Sequence, residues 1–205
     1  DVVGLLLPWL TQIHCSNIRA MAPHLPMVGF VPGGHTGTGM ATSSPDFRAA
    51  GRLAAEWLCG QGCRNILGLD DRSGFAGGMQ DAATGDKCRG TEITIVNIEP
   101  ADRGNYAALA ATVLGTKADG LAFADDRAAG AVAERFQAAG RPLPRLASVS
   151  NAGENILPPE AALLVFDGME VGRLSIHLLQ LLLENPALGR IEMLVQPELL
   201  PPNLR

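Results

Sequence analysis

A chain of 205 residues with 47% hydrophobic residues can build one medium domain or two small lobes, which excludes a disordered segment. Its net charge of −5, with no local Lys/Arg cluster, excludes a nucleic-acid-gripping surface on the chain itself, because such surfaces are basic. No apolar run approaches the roughly 18 residues of a membrane span, and residue 1 opens a strand-like run without the basic start of a signal peptide, so a soluble protein without membrane contact is expected.

Residues 2–7 (VVGLLL) form a continuous apolar run suited to a strand buried on both faces, and Pro8 ends it. A short helix is expected over 12–21 and a second strand over 26–31 (PMVGFV). The following PGGHTGTGMATSS reads as a glycine-rich loop and not as a phosphate cradle: it has no G-x-G-x-x-G, and Gly39 is followed by Met40 where a P-loop needs lysine. Ser44-Pro45-Asp46 has the composition of a helix start, with Ser as N-cap and Pro at the first helical position. Phe47, Ala50, Leu53, Ala54, Trp57 and Leu58 then recur at helical spacing, with Gly60 and Gly62 at the exit.

A strand over 65–69 is followed by the polar, glycine-rich stretch 70–78, and 79–90 carries helix formers interrupted by Gly85, so a short or irregular helix is expected there. A strand over 93–98 and a helix over 105–114, with Tyr106, Leu109 and Val113 on one face, complete this half.

The next stretch is the most informative. The apolar run 121–124 stops at Asp125, an alanine-rich helix runs to Ala139, Gly140 ends it, and 146–149 is apolar again. Strands joined by a helical crossover run parallel, and open parallel sheets bind ligands beyond the carboxyl ends of their strands, so Asp125 and Asn151 point toward any site. After a strand over 162–166, Asp167-Gly168-Met169-Glu170 has capping-box spacing. The helix over 169–184 is apolar on two sides, and the second side suggests a subunit or lobe interface. Residues 191–200 form a last extended segment, and the whole reads as an α/β protein with parallel sheet.

Little catalytic chemistry is visible, so an enzyme has little support. The four cysteines, Cys15, Cys59, Cys63 and Cys88, lack the paired spacing of a zinc site and are expected as free thiols in a reducing compartment. The histidines His14, His24, His35 and His177 are never at i, i+4, and no G-x-S-x-G elbow exists. The pairs Asp70-Asp71 and Asp125-Asp126 could hold a divalent ion, but a helix cap plus a solvated charge is the simpler reading. No metal and no cofactor are expected.

Four stretches together resemble the effector-binding domain of LacI/GalR-type transcription regulators. They are Asp46-Phe-Arg-Ala-Ala-Gly51 through Gly62-Cys-Arg-Asn-Ile66; Asp125-Asp-Arg-Ala128-Ala-Gly130-Ala131; Ala138-Ala-Gly140-Arg-Pro-Leu-Pro144 with LASVS; and Val165 to Leu183 with Pro197-Glu198-Leu199. The resemblance implies a two-lobe, periplasmic-binding-protein-like (type I) α/β fold with parallel sheets and an incomplete amino-terminal lobe, because VVGLLLP matches what is normally a third strand. It implies lobes formed by 1–62 plus 163–186 and by 63–162 plus 187–205.

The same resemblance implies a sugar or related polar effector, a cytoplasmic homodimer, and contact with DNA only through a headpiece absent from this chain. Asp46 matches the family's sugar-binding aspartate, whereas the family's arginine, asparagine and glutamine fall on Phe75, Ala124 and Phe166. The ligand-binding residues implied are Asp46, Phe75, Asp125, Asn151, Phe166 and Asp167. Two further readings remain: an extracytoplasmic solute-binding protein of the same fold, and a metal-dependent α/β hydrolase using the strand-end aspartates.

Overall fold

In the computed structural model, residues 2–8, 12–30, 40–70, 74–98, 105–150, 156–188 and 191–202 are described. The first half of the chain forms β1 (Leu5–Pro8), α1 (Gln12–Met21), β2 (Met27–Phe30), β3 (Ala41–Pro45), α2 (Phe47–Gly60), β4 (Asn65–Asp70), α3 (Phe75–Ala83) and β5 (Glu92–Asn97). The second half forms α4 (Tyr106–Leu114), β6 (Gly120–Phe123), α5 (Asp126–Ala138), β7 (Arg145–Ser150), β8 (Ala162–Val165), α6 (Gly168–Glu184), β9 (Glu192–Val195) and β10 (Glu198–Leu200). They fall into two compact units, Asp1–Asp46 with Asp167–Gln196, and Phe47–Phe166 with Pro197–Arg205.

The first unit holds a parallel sheet in the order β1-β2-β3-β9. β3 lies in the segment that its polar composition, MATSSP, marks as loop, and β9 beside it comes from the far end of the chain. Its residues alternate between two faces: Met40 joins the cluster of Leu7 and Met27, while Ala41 joins that of Val28 and Leu178. Ser43 is fully buried and donates to the Val171 carbonyl of α6 at 3.1 Å, so a polar residue is accommodated in a central strand.

Helix α6 buries Val171, Ser175 and Leu178 in this unit, yet Met169, Ile176 and Leu183 stand 85%, 53% and 42% exposed along a second line. Its first turn is capped by Asp167, as its composition predicts. Glu170 does not complete the capping box, because its carboxylate pairs with Arg173 at 2.7 and 2.5 Å.

The second unit has the sheet order β10-β8-β7-β6-β4-β5, parallel except for β10. Both faces are covered. One core packs Ala50, Ala54, Leu58, Phe75 and Met79 of α2 and α3 against Ile66, Ala122 and Ala147. The other packs Ala128, Val132 and Phe136 of α5 and Val113 of α4 against Leu67, Leu121 and Leu146.

Helices α2 and α3 touch backbone to backbone: a Cβ on Gly51 would meet the Phe75 carbonyl, and one on Gly78 would meet the Arg48 carbonyl. Arg48 and Asp81 join the same two helices with a bidentate pair at 2.6 and 2.8 Å.

Three expectations need correction. Helical periodicity identifies the buried face of α2 but not the sheet that buries it; α2 packs on the six-stranded sheet, so the chain first changes unit at Asp46/Phe47 and not near residue 62. For the same reason β8 belongs to the second unit and β9 to the first, with the remaining passages at Phe166/Asp167 and Gln196/Pro197. Ser44 does not cap α2, since it is the fourth residue of β3. Finally, Cys59 and Cys88 are not free thiols: they form a disulfide that ties the last turn of α2 to the 3-10 turn Asp86–Cys88, while Cys63 is free and buried.

Candidate ligand-binding site

In the second unit the parallel strands deliver Asp70 and Asp125 to their carboxyl ends. Asp70 is 3% exposed and its Oδ2 accepts the Ala76 amide at 3.0 Å, which ties the strand end to the first turn of α3. Asp125 is the N-cap of α5: its Oδ1 accepts the Arg127 amide at 3.0 Å, and its Oδ2 accepts the Tyr106 hydroxyl at 3.2 Å. The cap expected from the sequence is therefore present together with a partner it does not reveal. Tyr106 opens α4 and brings a phenol to the carboxylate; that it starts a helix beyond the carboxyl end of β5 is the signal that would have found it.

Burial, then the charge of Asp125 and the hydrogen bond to it, push the Tyr106 phenol above its ordinary value of 10.0. The neutral phenol is thus favoured in the native state. This contribution to stability is complete below the unfolded value near 10.0 and is lost as pH rises through the higher native one. Titration of unfolding free energy between neutral and strongly alkaline pH is expected to show a decline above about pH 10 that is smaller in Tyr106→Phe.

Phe166 follows β8, is half-buried, and packs on Phe47 with ring centroids 5.4 Å apart at 46°. Phe75 departs from the expectation. It is completely buried among Ala50, Ala54 and Met79 and presents no surface to a ligand; an aromatic side chain at the start of α3 has more apolar area to bury beneath α2 than to offer a polar solute.

The first unit carries Asp46 and Asp167. Asp46 ends the β3 segment half-buried, with its amide donating to the Val195 carbonyl at 2.8 Å and its Oδ2 accepting from Gln196 Nε2 at 2.9 Å. Gln196, just beyond β9, is the orienting partner that the sequence leaves unmarked. Asp167 is exposed, and its Oδ1 accepts both the Met169 and Glu170 amides at 2.8 and 3.2 Å. Asn151 and the glycine-rich loop with His35 lie outside the described residues, as does Asp71.

Carboxylates held in this way can accept hydrogen bonds from hydroxyl groups. Among the described residues no group of three or more His, Cys, Asp or Glu could hold a metal ion, and no helix is long and apolar enough to cross a membrane.

No family model matches the chain, and no curated protein does. Solved structures do. The Cra transcriptional dual regulator from Pseudomonas putida, in complex with fructose 1-phosphate, superposes with a TM-score of 0.71 at 18% identity, over 97% of this chain and 77% of that one. A LacI family transcriptional regulator from Enterococcus faecalis V583 with bound ribose gives 0.75 at 18% identity, over 98% and 76%. GanP, a glucose-galactose binding protein from Geobacillus stearothermophilus, gives 0.76 at 18% identity, over 99% and 78%. At such identities the likeness is one of fold: an α/β architecture of mostly parallel sheets shared with these transcriptional regulators and this glucose-galactose binding protein.

Proposed function

We propose that this chain is the small-molecule effector-binding domain of a LacI-type transcription regulator, taking a sugar or related polyol at the carboxyl ends of its parallel strands. The observation that carries the reading is the fold likeness to regulators solved with fructose 1-phosphate and with ribose. The site's chemistry supports it. Asp46, oriented by Gln196, accepts a ligand hydroxyl; Asp167 commits Oδ1 to the α6 cap, which leaves Oδ2 to accept another. In the second unit, Asp125 with Tyr106, Phe166 and Asn151 are the residues proposed to contact ligand, and Phe75 supports them from the core.

In this reading binding is communicated to DNA by a headpiece outside this chain, and the protein works as a cytoplasmic homodimer without catalysis. The uncovered line of Met169, Ile176 and Leu183 on α6 supplies apolar area for a second copy. Sedimentation as a dimer that Ile176→Glu converts to monomer supports that assembly, and a wild-type monomer at micromolar concentration rejects it. Leu178, fully buried within the first unit, is unsuited to this test.

A thermal-shift panel of pentoses, hexoses, polyols, nucleosides and sugar phosphates tests the ligand class. A ligand at a hundred times its Kd stabilises the native state by about 2.7 kcal/mol, and a panel without any shift argues against the proposal.

One observation favours a second reading, an extracytoplasmic solute-binding protein of the same fold. The Cys59–Cys88 disulfide joins residues 29 apart, and such bonds persist in oxidising compartments. Alkylation of protein taken directly from its cells, followed by mass spectrometry, separates the two. Modification at Cys59 and Cys88 before reduction supports the cytoplasmic regulator; modification of these two only after reduction supports the solute-binding protein.

A further inference from the structure

A concavity of about 730 Å3 opens in the second unit at the end of the sheet opposite the strand carboxyl termini. It is lined where α5 ends, where β6 and β7 begin and just before β8, so none of the residues proposed for effector binding contributes to it. Its volume lies within the range of small-molecule pockets.

Phe136 and Leu146 give it an apolar floor, 3% and 2% exposed. Arg141 is held in place at its margin: its guanidinium lies 5.4 Å from the Phe136 ring centroid, and Nη1 donates to the Leu114 carbonyl at 2.5 Å. The carboxylate of Asp119 is likewise committed, accepting the Arg64 amide at 2.9 and 3.0 Å and the Asn65 amide at 2.8 Å.

Two charges remain. Arg145 and Glu160 both line the concavity and are exposed, and neither side chain has a hydrogen-bond or ion-pair partner among the described residues. A lone anion would satisfy the first and be repelled by the second. A ligand that carries one carboxylate, one ammonium and an apolar group has a complement for each of these three features.

We infer that this concavity is a second ligand site, separate from the effector site, for a zwitterion with an apolar side chain of the class of hydrophobic α-amino acids. Arg145 takes the carboxylate, Glu160 takes the ammonium, and the side chain lies against Phe136 and Leu146. The inference does not depend on the identity of the effector.

Calorimetric titration of the whole chain with L-phenylalanine tests it, with L-phenylalaninamide and 3-phenylpropanoate as probes that each lack one charge. Saturable binding of L-phenylalanine is expected, with each analogue weaker by about tenfold or more, since each loses a charge-assisted contact. Arg145→Ala and Glu160→Gln alter exposed side chains and are expected to keep the wild-type thermal midpoint while losing about tenfold or more of the L-phenylalanine affinity. Arg145 and Glu160 simply pairing with each other in solution would leave no saturable binding and overturn the proposal. Equal binding by the three probes, or affinity unchanged in both variants, would overturn it as well. An effector found by the thermal-shift panel is expected to bind both variants normally, so failure of this site and failure of the effector reading are told apart.

Discussion

Replacing Phe75 by alanine is expected to lower the unfolding free energy of the second unit by about 3–5 kcal/mol, the usual cost of deleting a fully buried aromatic ring and leaving part of its cavity unfilled. The ring is 0% exposed and belongs to the core that joins α2, α3 and the six-stranded sheet. A residue on the wall of a ligand site behaves differently: its truncation weakens binding and leaves stability nearly intact. Urea unfolding of Phe75→Ala therefore distinguishes the two roles, and a loss below about 1 kcal/mol would return Phe75 to the surface of the site.

The second large effect is a change of sign between neighbours. Gly77 and Gly78 both lie within α3. A Cβ at Gly77 would meet nothing within 4 Å, whereas one at Gly78 would strike the backbone of Arg48 and Arg52 in α2. Gly77→Ala replaces the residue most costly to order in a helix and is expected to stabilise by up to about 1 kcal/mol. Gly78→Ala must push two helices apart against their shared core and is expected to destabilise by about 1–3 kcal/mol or more. Gly51→Ala should behave like Gly78→Ala, because its Cβ would meet the Phe75 carbonyl from the other helix. Equal urea midpoints for the Gly77 and Gly78 variants would show that α2 and α3 do not approach at the backbone.

These two results bear on what can be read from residues alone. The apolar pattern marks α5 and α6 closely because each has a defined start; Asp125 and Asp167 cap their helices as their positions before apolar runs imply. β3 is hidden because its hydroxyl side chains resemble loop composition, and it becomes a strand through pairing with β9, contributed from about 150 residues away. The unit to which α2 belongs is hidden for a related reason. Periodicity reports that a face is buried and says nothing of which sheet receives it. The Cys59–Cys88 bond joins two elements brought together by the α2–α3 packing, which the linear spacing of the cysteines does not report.

The candidate site was legible to the extent that strand ends are legible. Asp125 and Asp167 follow strands that apolar runs mark in the sequence, whereas Asp46 follows the hidden β3 and is located only by the family resemblance. Their partners Gln196 and Tyr106 are contributed by other elements and depend on the fold. Phe75 was assigned by its place in a family pattern, and its burial could be learned only from the packing of α3 beneath α2.

The central claim is that Asp46 helps to hold a polyhydroxylated ligand, and calorimetric titration of wild type and Asp46→Ala with the best ligand of the sugar and polyol panel tests it most directly. The account predicts saturable binding by the wild type and a loss of about tenfold to a hundredfold in Asp46→Ala, the range of one hydrogen bond to a charged group, with little change in unfolding free energy. Equal affinity in the two proteins would contradict the site, and the absence of saturable heat from every sugar and polyol tried would contradict the proposed function.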